Sequence, residues 1–220
     1  MLVEVAGGTD KIAGMTNSPC TTPPRIIDDL AEQGWSVLPQ FIPQTLTLQL
    51  AQECRDRAKK GALNPAGVGR GSQQQVLEGV RGDHIQWLEP GQSSVTDEFL
   101  DRLEALRCEL NQSLYLGLED FEGHFALYPP GSFYKRHVDR FRDDDRRTVT
   151  AVLYLNPDWQ DEDGGALRLY LDGDKPLDVL PEAGTLVVFM SADLHHEVLL
   201  TQRERLSLTG WFRRRSDVLL

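Results

Sequence analysis

Two short segments hold the residues whose types suit metal chemistry, His137-Val138-Asp139 and His195-His196. The chain has five histidines (His84, His124, His137, His195 and His196), and three of them fall in these segments. In an extended chain residues i and i+2 point to the same face, so the His137 imidazole and Asp139 carboxylate can converge on one ion. A histidine from 195–196 would complete two imidazoles and one carboxylate. That facial set holds non-haem iron and leaves positions open for substrate and dioxygen. Zinc accepts the same ligand types, so the set alone does not choose the metal. An isolated HxD also occurs often by chance, and a lone histidine in a β fold is more often a hydrogen-bonded residue than a ligand.

A cationic group stands near the second segment. Arg205 lies nine residues after His196, at the head of Leu206-Ser207-Leu208-Thr209-Gly210-Trp211. A guanidinium turned into a barrel is costly unless a carboxylate meets it. Placed on adjacent antiparallel strands, His196 and Arg205 would span a metal-chelating dicarboxylate. Tyr154, on the apolar stretch 149–155, offers the same carboxylate a hydroxyl. The competing readings are a surface salt bridge between Arg205 and Glu204, and Arg203, which has the same parity but sits nearer the turn. The run Asp143-Asp144-Asp145 beside Arg146-Arg147 reads as a solvated turn.

The elements that must position these groups are legible as periodicities. Leu46, Leu50, Cys54 and Ala58 share a helical face after Pro43, and Lys59-Lys60-Gly61 stops the helix. Phe99, Leu103, Leu106, Leu110 and Leu114 mark a second helix, opened by Thr96-Asp97 and ended by Gly117. Between them, residues 63–75 carry Gly67, Gly69 and Gly71 and no apolar period, which predicts a mobile loop. Residues 80–88 then alternate like a strand. Short strands are expected at 125–128, 148–155, 167–171, 177–180, 185–189, 196–200 and 206–213, split by turn residues such as Pro129-Pro130-Gly131, Asn156-Pro157-Asp158, Gly164-Gly165, Asp172-Gly173-Asp174 and Ala183-Gly184. So many short strands imply a β-sandwich or barrel. We expect a flexible leader over 1–24 and one domain over 25–220, with helical support at 25–117 and a β-barrel core at 118–214.

Composition narrows the function classes. The chain has 220 residues, 40% hydrophobic and 26% charged, within the range of globular proteins. The net charge of −11 disfavours a nucleic-acid binder, because phosphate contacts need a basic surface. No apolar run approaches the roughly 20 residues of a membrane-spanning helix. Residues 1–14 lack the pattern of a secretory signal, and Met15 offers a second possible start. Three widely spaced cysteines (Cys20, Cys54, Cys108) fit a reducing cytoplasm better than a disulfide framework or zinc cluster.

Five ordered motifs over about residues 78–214 resemble the prolyl hydroxylase domain family, whose members regulate hypoxia-inducible factors in animals and have bacterial relatives. They are Tyr128-Pro129-Pro130-Gly131 through Arg136-His137-Val138-Asp139; Tyr154-Leu155-Asn156-Pro157-Asp158-Trp159; Gly164-Gly165-Ala166-Leu167-Arg168; His196-Glu197-Val198; and Arg205 with Trp211. Arg81-Gly82-Asp83-His84-Ile85-Gln86-Trp87 resembles the family's strand after its substrate loop. The resemblance implies a mainly β protein with N-terminal helices and a double-stranded β-helix (jelly-roll, cupin-like) barrel. It also implies iron(II), 2-oxoglutarate and dioxygen, with L-ascorbate as an accessory reductant. The implied reaction converts a prolyl residue of a protein to hydroxyproline and releases succinate and carbon dioxide. His137, Asp139 and His196 match the iron ligands, the His-Glu-Val run selecting His196 over His195. Arg205 matches the arginine that pairs with the far carboxylate of 2-oxoglutarate, Tyr154 and Thr209 its hydroxyl donors, and Tyr128 a tyrosine lining that pocket. Residues 63–80 correspond to the loop that closes over substrate, and Arg81, Asp83 and Trp211 are the expected substrate contacts. Bacterial relatives point to elongation factor Tu as the protein substrate, with no nucleic acid or membrane involved. Two rivals stay open: an oxygenase of small molecules or nucleobases, and a metal-holding cupin-like module without catalysis, which gives Arg205 no role.

Overall fold

The computed structural model describes residues 24–67, 75–77, 79–140, 144–171 and 176–215. Its elements are α1 (Pro24–Gln33), β1 (Trp35–Leu38), α2 (Gln44–Lys59), β2 (Asn64–Pro65), β3 (His84–Trp87), α3 (Ser94–Leu114), β4 (Leu118–Tyr128), β5 (Tyr134–His137), β6 (Arg147–Tyr154), β7 (Leu167–Tyr170), β8 (Leu177–Val179), β9 (Leu186–Met190), β10 (His195–Val198) and β11 (Arg205–Arg214). Two antiparallel sheets face each other. The larger has the order β1-β9-β6-β11-β4-β3-β2 and the smaller β5-β10-β7-β8. This is the expected mainly β architecture, a double-stranded β-helix with helical support.

The large sheet is covered on both faces. Outward, α1, α2 and α3 pack Ile26, Leu50, Phe99, Leu103, Leu106 and Leu110 against Phe125, Val149, Leu153, Leu208 and Phe212. Inward, Ala126, Tyr128, Val152, Tyr154, Val187 and Phe189 meet Leu167, Leu169, Val179 and Val198 of the small sheet. Burial on both faces explains why β9 reads as an unbroken apolar run and why β6 and β11 are buried along most of their length, polar positions included, while β7 and β10, solvated on one face, alternate. Each fully buried leucine or phenylalanine contributes about 1.5–3 kcal/mol at most. Truncating one, as in Leu106→Ala, costs about 2–5 kcal/mol.

Several local expectations change. α3 starts earlier than Thr96-Asp97: Ser93 is its N-cap, its Oγ accepting from the Thr96 N–H at 3.1 Å and donating to Glu53 at 2.7 Å. It ends at Tyr115 in a left-handed conformation (φ 54°), before Gly117. β1 and β2 come from the segment expected to be helical support, yet they join the large sheet, beside β3, which falls within the strand expected at 80–88. α1 was not anticipated either. Of the expected loop 63–75, Leu63 and Ala66 are buried and Asn64–Pro65 pair with His84–Ile85. Residues 68–74, with Gly69 and Gly71, lie outside the described residues, as do residues 1–23 of the expected leader 1–24, Asp143 and the turn Asp172-Gly173-Asp174, whereas Pro24 opens α1. The acidic run is not simply solvated. Asp144 holds Arg146 at 2.8 Å, and Asp145 holds Arg140 and Arg214. No described helix is long and apolar enough to cross a membrane.

Candidate metal centre

β5 and β10 are neighbours with His137 opposite His196, which sets the two imidazoles side by side, ring centroids 4.2 Å apart. Asp139, just past β5, closes the cluster. Its carboxylate oxygens lie 3.5 Å from His137 Nε2 and 3.6 Å from His196 Nε2, and the donor atoms of all three fall within 4.8 Å of one another. The ring orientations are set by the backbone: His137 Nδ1–H donates to Lys135 O at 2.7 Å and His196 Nδ1–H to Leu194 O at 3.0 Å. In each ring that leaves the Nε2 lone pair directed at the centre. Thr150 Oγ1 donates to Asp139 at 2.8 Å and contacts Ser191 Oγ. Burial pushes the Asp139 carboxyl upward, but His196, His137 and Thr150 outweigh it and hold it well below the usual carboxylate range. Burial lowers His196, opposed by Asp139. A carboxylate beside two imidazoles is the facial donor set that suits a divalent non-haem iron. His195, the adjacent alternative, points outward and is exposed.

The cluster opens into a cavity of about 390 Å³ between the sheets, whose lining includes Arg81, Trp87, His124, Tyr128, Arg205 and Thr209. Arg205 is 1% exposed, yet no carboxylate lies within ion-pair distance of it among the described residues. Its Nε donates to Gly165 O at 2.8 Å, and its guanidinium carbon lies 5.0 Å and 5.1 Å from the Tyr128 and Tyr154 ring centroids. The Tyr154 hydroxyl is buried beside Arg205, and its proton finds no acceptor among the described residues. Burial pushes it up to about 12, so it stays protonated and able to donate. A buried cation beside an orphaned donor fits an incoming carboxylate. The approach needs Gly165 (φ +66°), where a Cβ would come within 3.1 Å of Arg205 Cδ.

One expectation about Arg205 is corrected, and its two competing readings fall away. It and His196 do not lie on adjacent strands: β11 belongs to the large sheet and β10 to the small one, and they face each other across the interior. Glu204 pairs with Arg55 instead, at 2.8 Å. Arg203 is committed elsewhere, to Asp163 and the Pro157 and Asp158 carbonyls, stacked over Trp159. Among the expected substrate contacts, Arg81 and Trp211 line the cavity, but the Asp83 side chain is fully covered and bound at 2.7 and 2.6 Å to Arg81. Asp83 can therefore orient Arg81 rather than meet a ligand.

Other residues at the site were not anticipated. Thr150 shares parity with Val152 and Tyr154 on β6, and His124 shares it with Ala126 and Tyr128 on β4, so alternation carried a usable signal for both. Tyr134 stacks on His137 at 3.7 Å, and Arg147 lies 3.4 Å over the Trp211 ring.

Comparison with known proteins agrees with this geometry. The 2OG-Fe(II) oxygenase superfamily matches residues 123–213. A hypoxia-inducible factor prolyl hydroxylase of Caenorhabditis elegans is 29% identical over 204 residues, 87% of this chain and 28% of that protein's length. A Pseudomonas putida prolyl-4-hydroxylase structure is 56% identical with a TM-score of 0.81, covering 88% of this chain and 99% of that one. A Trichoplax adhaerens prolyl hydroxylase, solved with a fragment of the hypoxia-inducible factor oxygen degradation domain, is 25% identical with a TM-score of 0.78, covering 86% and 87%.

Proposed function

Because the chain belongs to the prolyl hydroxylase family of iron(II)- and 2-oxoglutarate-dependent dioxygenases, we propose that it hydroxylates a prolyl residue within a protein, with iron held by His137, Asp139 and His196. The observation that carries this reading is the buried Arg205, without a carboxylate of its own, facing the same cavity as the His-Asp-His cluster. Arg205 would bind the far carboxylate of 2-oxoglutarate, helped by the Tyr154 and Thr209 hydroxyls and the Tyr128 wall. When bound, iron with 2-oxoglutarate and dioxygen supplies the oxidising power for C–H hydroxylation.

The chain's own residues supply geometry and dryness. Lys135 and Leu194 carbonyls fix the imidazole tautomers, and Thr150 fixes the Asp139 carboxylate. The apolar walls at Val152, Leu167 and Val198 exclude water around the cosubstrate carboxylate, where its pairing with Arg205 is strongest. No side chain need act as a general base.

A protein substrate is favoured by the mouth of the cavity, where Trp87 is 44% exposed beside Trp211 and Arg81, a surface on which a peptide segment can lie. The Trichoplax relative, solved with a peptide fragment, supports the same substrate class. Elongation factor Tu is the candidate that the family resemblance of the sequence implies, and a cytoplasmic setting belongs to the same reading. A cupin-like module without catalysis leaves the unpaired Arg205 unexplained. The test is succinate release with iron(II), 2-oxoglutarate and either purified elongation factor Tu or its proline-containing peptides. A 16 Da gain on one proline is expected; succinate release without any modified proline would defeat the protein-substrate reading.

A further inference from the structure

His124 is a buried histidine to which the chemistry above gives no task. It is 3% exposed and lines the same cavity as the metal cluster, on β4 opposite Thr209 of β11. Trp87 meets it edge-to-face at 5.1 Å and Trp211 lies at 5.7 Å, so the plane of the ring is fixed from two sides. Its Nδ1 contacts the Phe125 carbonyl at 3.1 Å. A carbonyl can only accept, so the proton sits on Nδ1 and Nε2 carries a lone pair. Nε2 hydrogen-bonds to no described residue. Burial pushes the ring down to about 4, with Arg81 and Arg147 lowering it further against Asp83, so it stays uncharged near neutral pH. The cavity therefore carries a rigid, neutral acceptor at its aromatic end, away from Arg205.

Peptide chemistry narrows what that acceptor can meet. A prolyl nitrogen inside a chain bears no hydrogen, and the carbonyls on either side of the ring are acceptors themselves. The nearest backbone donor to a target proline is the N–H of the residue that follows it. We propose that His124 is a specificity-determining residue, its Nε2 accepting the amide N–H of the residue after the target proline and so fixing which way the peptide runs across the site. This rests on the reading of the enzyme as a hydroxylase of prolyl residues in proteins.

The test uses the full chain with iron(II), 2-oxoglutarate and a proline-containing peptide of elongation factor Tu, made in two forms. One is all-amide; the other has an ester in place of the amide after the target proline, which replaces the N–H donor by an oxygen that cannot donate. The expected result is a KM about tenfold higher for the ester than for the amide peptide with wild type, and no difference between the two with His124→Leu. The KM for 2-oxoglutarate should be unchanged in the variant, and His124→Asn, which can offer an acceptor, should recover part of the preference. Should both enzymes discriminate equally, or neither, His124 does not read that amide and the inference falls while the hydroxylase reading stands. If wild type modifies no proline in either peptide or in intact elongation factor Tu, the protein-substrate reading and this inference fall together.

Discussion

Arg205→Ala is the substitution whose consequence the structure defines most sharply. The side chain is 1% exposed, held at Gly165 O and flanked by the Tyr128 and Tyr154 rings, with no carboxylate at ion-pair distance among the described residues. Losing one partner of a buried charge-assisted pair costs about 2–5 kcal/mol, which at about 1.4 kcal/mol per decade raises the KM for 2-oxoglutarate roughly 30- to 4,000-fold. The variant also strands the Gly165 carbonyl, an unmet buried acceptor costing about 1–3 kcal/mol of stability. Tm should accordingly fall by several degrees. Succinate release titrated with 2-oxoglutarate at fixed peptide, beside a thermal melt, separates the two effects. Arg205→Lys keeps the charge but loses the planar fork, and should fall between wild type and Arg205→Ala. The reasoning is refuted if Arg205→Ala folds and keeps its 2-oxoglutarate KM within threefold of wild type, above all if Arg203→Ala raises it instead.

Further substitutions probe the rest of the account. His137→Ala, Asp139→Ala and His196→Ala should each abolish iron-dependent turnover and lower iron content after dialysis, whereas the exposed His195 tolerates alanine; inactive His195→Ala beside active His196→Ala would reverse the choice of distal ligand. Asn156→Ala should cost about 3 kcal/mol in urea unfolding, because the buried amide donates to the Pro181 and Leu206 carbonyls and accepts from the Leu206 N–H. His124, at about 4 when folded and about 6.5 when unfolded, takes up its proton mainly in the unfolded chain between those values. Its contribution to stability is thus complete above pH 6.5 and lost as pH falls toward 4, by about 3 kcal/mol at most. Unfolding of metal-free protein at pH 7 and 4.5 should show a steeper loss in wild type than in His124→Leu, and equal slopes would count against the buried neutral ring.

Much of the site could be read from residue spacing because alternation in strands is a strict geometric rule. Arg205, Ser207 and Thr209 face one way on β11 as that parity demands, whereas Asp139 lies in the bend just past β5 and still meets His137 at the centre. Parity would equally have found Thr150 and His124. What spacing could not supply was which sheet each strand joins. His196 and Arg205 face each other across the interior because β10 pairs with β5 and β7, while β11 inserts between β4 and β6. Those pairings are decided by contacts distant in sequence. β1 escaped notice for a similar reason, since four residues carry little periodic signal and its stability comes from pairing with β9. Asp83 was misassigned because sequence shows a carboxylate but not its burial, and here Arg81 claims both of its oxygens.

The central claim, an iron(II)- and 2-oxoglutarate-dependent prolyl hydroxylase built on His137, Asp139, His196 and Arg205, is tested most directly by one mass-spectrometric measurement. Wild type is incubated under ¹⁸O₂ with iron(II), 2-oxoglutarate and elongation factor Tu or its proline-containing peptides, and both the protein substrate and the succinate are weighed. One ¹⁸O atom is expected on a single proline and one in succinate, in equal amounts, with neither formed by His196→Ala. An ¹⁸O label that appears in succinate but on no proline, or a proline oxidised equally by His196→Ala, would contradict it.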